Sequence, residues 1–168
     1  MTINTDNLLY GSSVAITCTT TGLAYSTTVG RQSTVIVSTG GYVDALITIG
    51  IPATTTAAPG ANKAAYAYFS GSEDGTNFDG DDVLIGTSTS DSSYTINAAS
   101  NLRGPLVINV ITGTKTYFKS ATLSTYFGGV VPRKWAVVII NDTTMTLGTG
   151  TAAMSYTPIF YISTNTNA

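Results

Sequence analysis

Histidine is absent from the 168 residues, and cysteine and tryptophan occur once each. Without imidazole there is no Ser-His-Asp or Cys-His arrangement for nucleophilic catalysis. A zinc site would have a single thiol to use, so zinc is excluded as well. That thiol, Cys18, cannot form an internal disulfide. It sits in the alternating run Ala15-Ile16-Thr17-Cys18-Thr19 with no basic neighbour to activate it, and reads as a small buried hydrophobe. Charge is scarce too, at 10% of residues against roughly 25% in ordinary domains. The seven Lys and Arg are scattered, only Arg133-Lys134 being adjacent, and the formal charge is −2. A nucleic-acid surface needs clustered cations, so none is expected. No run approaches the ~20 apolar residues that cross a bilayer, so no membrane segment is expected. Residues 1–6 carry no basic or apolar leader pattern, which fits synthesis and retention in the cytosol; secretion without a signal, or with a signal already removed, would also fit.

What is present is Thr, Ser, Ala and Gly, with 43% hydrophobic residues that include 10 Tyr and 5 Phe. Aromatic side chains with a polar handle suit cores and interfaces alike. Short alternating runs rich in Thr, Val, Ile and Tyr are separated by Gly, Asn, Asp, Ser and Pro, the pattern of an all-β sandwich or barrel. Strands are expected at 13–19, 33–38, 42–51, 63–70, 83–85, 92–96, 106–111, 116–123, 136–140, 143–147 and 156–163. A short helical turn is expected near 120–126. In 42–51 the residues Val43, Ala45, Ile47, Ile49 and Ile51 share one face, and Pro52 closes the run. The continuous apolar run 136–140 suits a strand buried on both faces. Nine to eleven strands without a composition break give a jelly-roll-like two-sheet β-sandwich as a single domain over 13–163. Residues 1–12 read as an N-terminal arm and 164–168 as a polar tail.

Two stretches are dense enough to consider as sites. Residues 71–82 hold five of the nine acidic residues. Asp74, Asp79, Asp81 and Asp82 are calcium candidates by ligand type, but the EF-hand spacing fails because Gly75 stands where an Asp is needed. Asp74-Gly75 is equally a hairpin-turn pair. The same loop beside Tyr66, Tyr68 and Phe78 is a candidate glycan site, since aromatic strand residues followed by Ser-x-Asp-Gly-x-x-aromatic occur in discoidin-like carbohydrate-binding sandwiches. Residues 127–135 combine two glycines, Pro132, a basic pair and Trp135. They read as a tight loop delivering Trp135 into the core, with an interface corner as the alternative. A carboxylate pair across a cleft, as glycosidases need, is not indicated, and no Gly-rich segment precedes a helix to cradle phosphate. No enzyme, no cofactor and no firm metal site are expected.

Several motifs in a fixed order carry a resemblance. They are Gly30-Arg31-Gln32-Ser33-Thr34, Ala65-Tyr66-Ala67-Tyr68 leading to Gly71-Ser72-Glu73-Asp74-Gly75-Thr76-Asn77, Asn101-Leu102-Arg103, Thr116-Tyr117, and Phe127-Gly128-Gly129 through Pro132-Arg133-Lys134-Trp135. Together they resemble a family of small tailed-bacteriophage virion structural proteins. Asn141-Asp142-Thr143-Thr144 departs from the more Gly- and Ser-rich turn of that pattern. The resemblance implies a β-sandwich component of the particle with no enzymatic residues. The expectation is a capsid cement or decoration protein, assembled in the host cytoplasm and placed on the capsid surface. Its partners would be the major capsid protein and copies of itself, in a trimer, with residues 1–10 clamping neighbours. A tail or baseplate module binding a host glycan through the 71–82 loop is the alternative. A subunit of a cellular surface layer is a third, weaker reading.

Overall fold

A computed structural model of the chain describes residues 3–38, 41–53, 58–80, 91–96, 101–111, 115–149 and 153–166. Eleven strands follow in order: β1 (Ile3–Tyr10), β2 (Val14–Ala15), β3 (Val29–Gln32), β4 (Ile36–Val37), β5 (Asp44–Pro52), β6 (Ala65–Ser72), β7 (Ser92–Thr95), β8 (Arg103–Ile108), β9 (Thr116–Thr122), β10 (Lys134–Asn141) and β11 (Met154–Thr166). A 3-10 turn at Leu123–Tyr126 follows β9.

The strands form two sheets. One has the order β1-β11-β5-β9, with β2 also on β11; the other has β7-β3-β10-β6-β8, with β4 also on β10. The first half of the chain pairs with the second half in reverse. Strands β1 and β2 lie on β11, β3 and β4 on β10, β5 on β9, and β6 on β8, all antiparallel. That is one long hairpin rolled up, closed sideways by β5 on β11 and β6 on β10. The jelly-roll sandwich expected from the sequence is the fold found.

The core follows from period-two alternation. Ala45, Ile47, Ile49 and Ile51 of β5 are fully buried and face Ala65, Ala67 and Phe69 of β6 with Trp135, Val137 and Ile139 of β10 in one cluster. The alternate residues of β10, Ala136, Val138 and Ile140, form a second cluster with Phe78 and Tyr94, and Tyr66, Tyr68 and Leu102 pack against it. Residues 135–140 of β10 are therefore apolar on both faces because the 71–80 loop, β7 and residues 101–102 cover the outer side. Trp135 lies in the main core, as read from the sequence. Its indole N–H donates to the Tyr42 hydroxyl at 3.1 Å, which donates to Ser38 Oγ at 2.9 Å.

Several expectations change. Of 13–19 only Val14–Ala15 is strand; Ile16, Cys18 and Thr20 still alternate inward, but without a full ladder. Strand β3, at 29–32, lies ahead of the expected start at 33. Val43 falls outside the buried face, 46% exposed at the sandwich rim. Residues 143–147 are not a strand. They wrap around the Asn141 side chain, whose Nδ2 donates to Leu23 O and Met145 O while Oδ1 accepts from the Thr143 N–H and hydroxyl. Thr144 takes a φ of 68° there, which ends the extended path. The stretch read as an N-terminal arm contributes β1, and 164–166 of the tail extend β11, the two pairing residue by residue from Ile3–Thr166 to Tyr10–Ile159. The expected strand at 83–85 lies outside the described residues.

Candidate functional site

Asp74 lies two residues past Ser72, the last residue of β6, and its carboxylate organises the loop. Its Oδ1 accepts the backbone N–H of Thr76 at 2.7 Å and of Asn77 at 2.8 Å, and the Ser72 hydroxyl at 3.0 Å. Its Oδ2 accepts Asn77 Nδ2 at 2.6 Å. Those donors, the Thr76 and Asn77 backbone first, hold the carboxyl well below the usual carboxylate range. Gly75 completes the turn at φ 82°, a conformation that favours glycine. This is a locally satisfied turn. To ligate calcium, Asp74 would have to give up the bonds that shape it.

Asp79 is engaged elsewhere. It forms a two-pronged ion pair with Arg103, Nε to Oδ2 at 2.8 Å and Nη2 to Oδ1 at 3.3 Å, and the guanidinium lies 5.4 Å from the centre of the Phe127 ring. Asp81 and Asp82, the other two calcium candidates, lie outside the described residues. Among the described residues, no group of three or more His, Cys, Asp or Glu side chains is placed to hold a metal ion. Phe78 is buried in the outer cluster, and Tyr66 and Tyr68, 6.5 Å apart, are half-buried against the same cluster. The sequence grouped these three rings as a glycan platform; the fold uses Phe78 as packing. Two shallow depressions do flank Asp79. One is lined by Asn101, Leu102, Arg103, Gly104 and Tyr126, the other by Gly71, Glu73, Asp74, Asn77 and Phe78.

Cys18 is buried near Arg31, with its thiol pushed up to about 12, chiefly by burial and then by Asp91, with Arg31 opposing. It is not a nucleophile at neutral pH.

The second surface is the ribbon made by β1 and the far half of β11. Strand β11 pairs with β5 only as far as Ile159, whereas its pairing with β1 runs on to Thr166. Residues 160–166 therefore continue as a two-stranded ribbon past the sheet, a reach of about 23 Å at roughly 3.3 Å per residue. Apolar side chains stand out on both of its faces. Register and alternation put Leu8, Tyr10 and Tyr161 on one face, 59%, 60% and 56% exposed, and Leu9 and Ile162 on the other, 50% and 36% exposed. On the first face Leu46 of β5 and Phe118 of β9 are exposed as well. An isolated two-stranded ribbon is marginal in water, and clustered exposed apolar side chains mark interaction sites. The sequence signal for this ribbon was Leu8-Leu9-Tyr10 on one side and the expected strand 156–163 on the other; nothing local showed that the two would pair.

No family model, no curated protein and no solved structure matches the chain. Among the described residues no helix is long and apolar enough to cross a membrane.

Proposed function

We propose that this chain is a non-enzymatic structural protein of a tailed-bacteriophage virion, a cement or decoration protein that binds the outside of the head at capsomer junctions. The observation that carries the reading is the β1·β11 ribbon, which exposes Leu8, Leu9, Tyr10, Tyr161 and Ile162 together on one projecting element. Side chains of that kind are covered when the protein sits among neighbours. At roughly 25 cal/mol per Å² of apolar area, repeated over many copies, such burial opposes the pressure of a packaged genome. The low charge fits as well, because weakly charged Thr- and Tyr-rich faces pack against other chains without large desolvation costs. The motif order described above supports the assignment to virion proteins. The test is particle stability with and without the protein. Particles lacking it are expected to lose their genome at lower temperature, and equal heat resistance would overturn the reading.

A second reading, a tail or baseplate module that binds a host glycan, is favoured by the two depressions on either side of Asp79. Asn77, Asn101, Arg103 and Tyr126 offer them hydrogen-bonding groups suited to sugar hydroxyls. Copy number separates the two, since a decoration protein is present in hundreds of copies and a tail module in a few. Binding to a glycan array that is abolished by Arg103→Ala would favour the second.

A further inference from the structure

The free edge of β1 has a definite hydrogen-bonding pattern. The Gly11 N–H donates to Pro158 O at 2.8 Å, one step past the last pair of the ladder, Tyr10 with Ile159. In an antiparallel pair, residues alternate between bonding inward and outward. Leu9, Asn7, Thr5 and Ile3 therefore bond to β11, while the N–H and C=O groups of Tyr10, Leu8, Asp6 and Asn4 point to the other side. Among the described residues β1 pairs with β11 alone and forms the end of its sheet. Natural edges are protected by lysine, proline or bulges. Residues 3–10 contain no lysine and no proline, and their one charge is Asp6.

We infer that β1 pairs with β1 of a second copy of this chain, antiparallel about a twofold axis, joining two sandwiches through one continuous sheet. The register follows from the pattern. Outward-bonding residues must face each other, and placing the axis at Asn7 sets Asn4 opposite the second copy's Tyr10, and Asp6 opposite its Leu8. All four outward-bonding residues are then used, with two hydrogen bonds at each facing pair. Shifting the axis to Asp6 would set the two Asp6 charges against each other, and shifting it to Leu8 would leave Asn4 unused. A charged partner finds nothing to recognise on a strand with one charge, and a twofold contact closes rather than growing into a fibre. The inference deepens the proposed function by naming a neighbour that the ribbon holds, and it concerns the purified chain without any particle.

Light scattering coupled to size exclusion tests it, at concentrations from micromolar to millimolar. The wild type is expected at twice the 17.4 kDa chain mass. Leu8→Pro removes an N–H that bonds outward and none that bonds to β11, and each dimer loses that bond twice. Its dissociation constant should rise about thirtyfold, with Trp135 fluorescence unchanged. Leu8→Asp serves if the proline variant does not fold; it sets a carboxylate opposite the second copy's Asp6, and like charges facing each other across the strands should weaken pairing at least as much. A wild type that stays monomeric throughout overturns the inference, as do folded variants that dimerise like wild type. A trimeric mass also overturns it and would point to a head-to-tail contact. Each of these results leaves the particle-stability test of the proposed function standing.

Discussion

Replacing Asn141 by alanine is the sharpest test of how the second half of the sandwich is held. Asn141 is fully buried at the end of β10. Its amide donates to Leu23 O at 2.8 Å and Met145 O at 2.7 Å, and its carbonyl accepts the Thr143 N–H at 3.2 Å and hydroxyl at 2.6 Å. Alanine removes all of these. Leu23 O keeps the Leu147 N–H, and Met145 O keeps the Thr143 hydroxyl. The buried Thr143 N–H is left with no replacement. At about 1 kcal/mol for each of the three lost bonds whose partners keep another, and 1–3 for the Thr143 donor left unsatisfied in the interior, the cost is about 4–6 kcal/mol. In a chain of this size that lowers Tm by on the order of 10 °C. Thr143→Val is the control. It removes a hydroxyl that is also fully buried, yet each partner keeps another bond, so the cost should be about 1–2 kcal/mol. Urea titration followed by fluorescence of the only tryptophan, fully buried Trp135, reads both. If Asn141→Ala cost no more than Thr143→Val, Asn141 would not be the organising residue of 142–147.

Gly30→Ala should cost about 1–3 kcal/mol or more by urea titration, because a Cβ there would run into the main-chain carbonyl of Ile139 on the paired strand. Cys18 should resist Ellman's reagent at pH 8 in the folded protein and react at once in denaturant. The stability that the neutral thiol contributes is complete below 9.0, its ordinary value, and should be lost as pH rises from there toward about 12. For Asp74 the sign is opposite. Its lowered folded value contributes stability above the ordinary 3.8 that is lost as pH falls further, so its NMR carboxyl resonance should still be unprotonated at pH 3.5. Asp79→Asn should change stability by about 0–1 kcal/mol, since the pair with Arg103 is partly exposed, at 26% and 44%.

The alternation of β5, the doubly apolar β10 and the burial of Cys18 and Trp135 were legible because each follows from local pattern and side-chain chemistry. The rest depended on partners far away in the chain. Residues 143–147 alternate like a strand, but Asn141 offers their backbone better partners than a sheet edge does. Residues 1–12 look like a polar arm because nothing local shows that 3–10 will meet 159–166. The 71–82 loop looked like a site because acidic residues and aromatics cluster there. In the fold Asp74 closes a turn, Asp79 holds Arg103, and Phe78 fills the gap over β10.

The role proposed above is that of an assembly subunit on the outside of a phage head. A cryo-electron microscopy map of the assembled particle tests it most directly. Density for this sandwich is expected to repeat over the icosahedral lattice at capsomer junctions, with the β1·β11 ribbon in contact with neighbouring chains. Density confined to the tail, or a ribbon standing free in solvent, would contradict it.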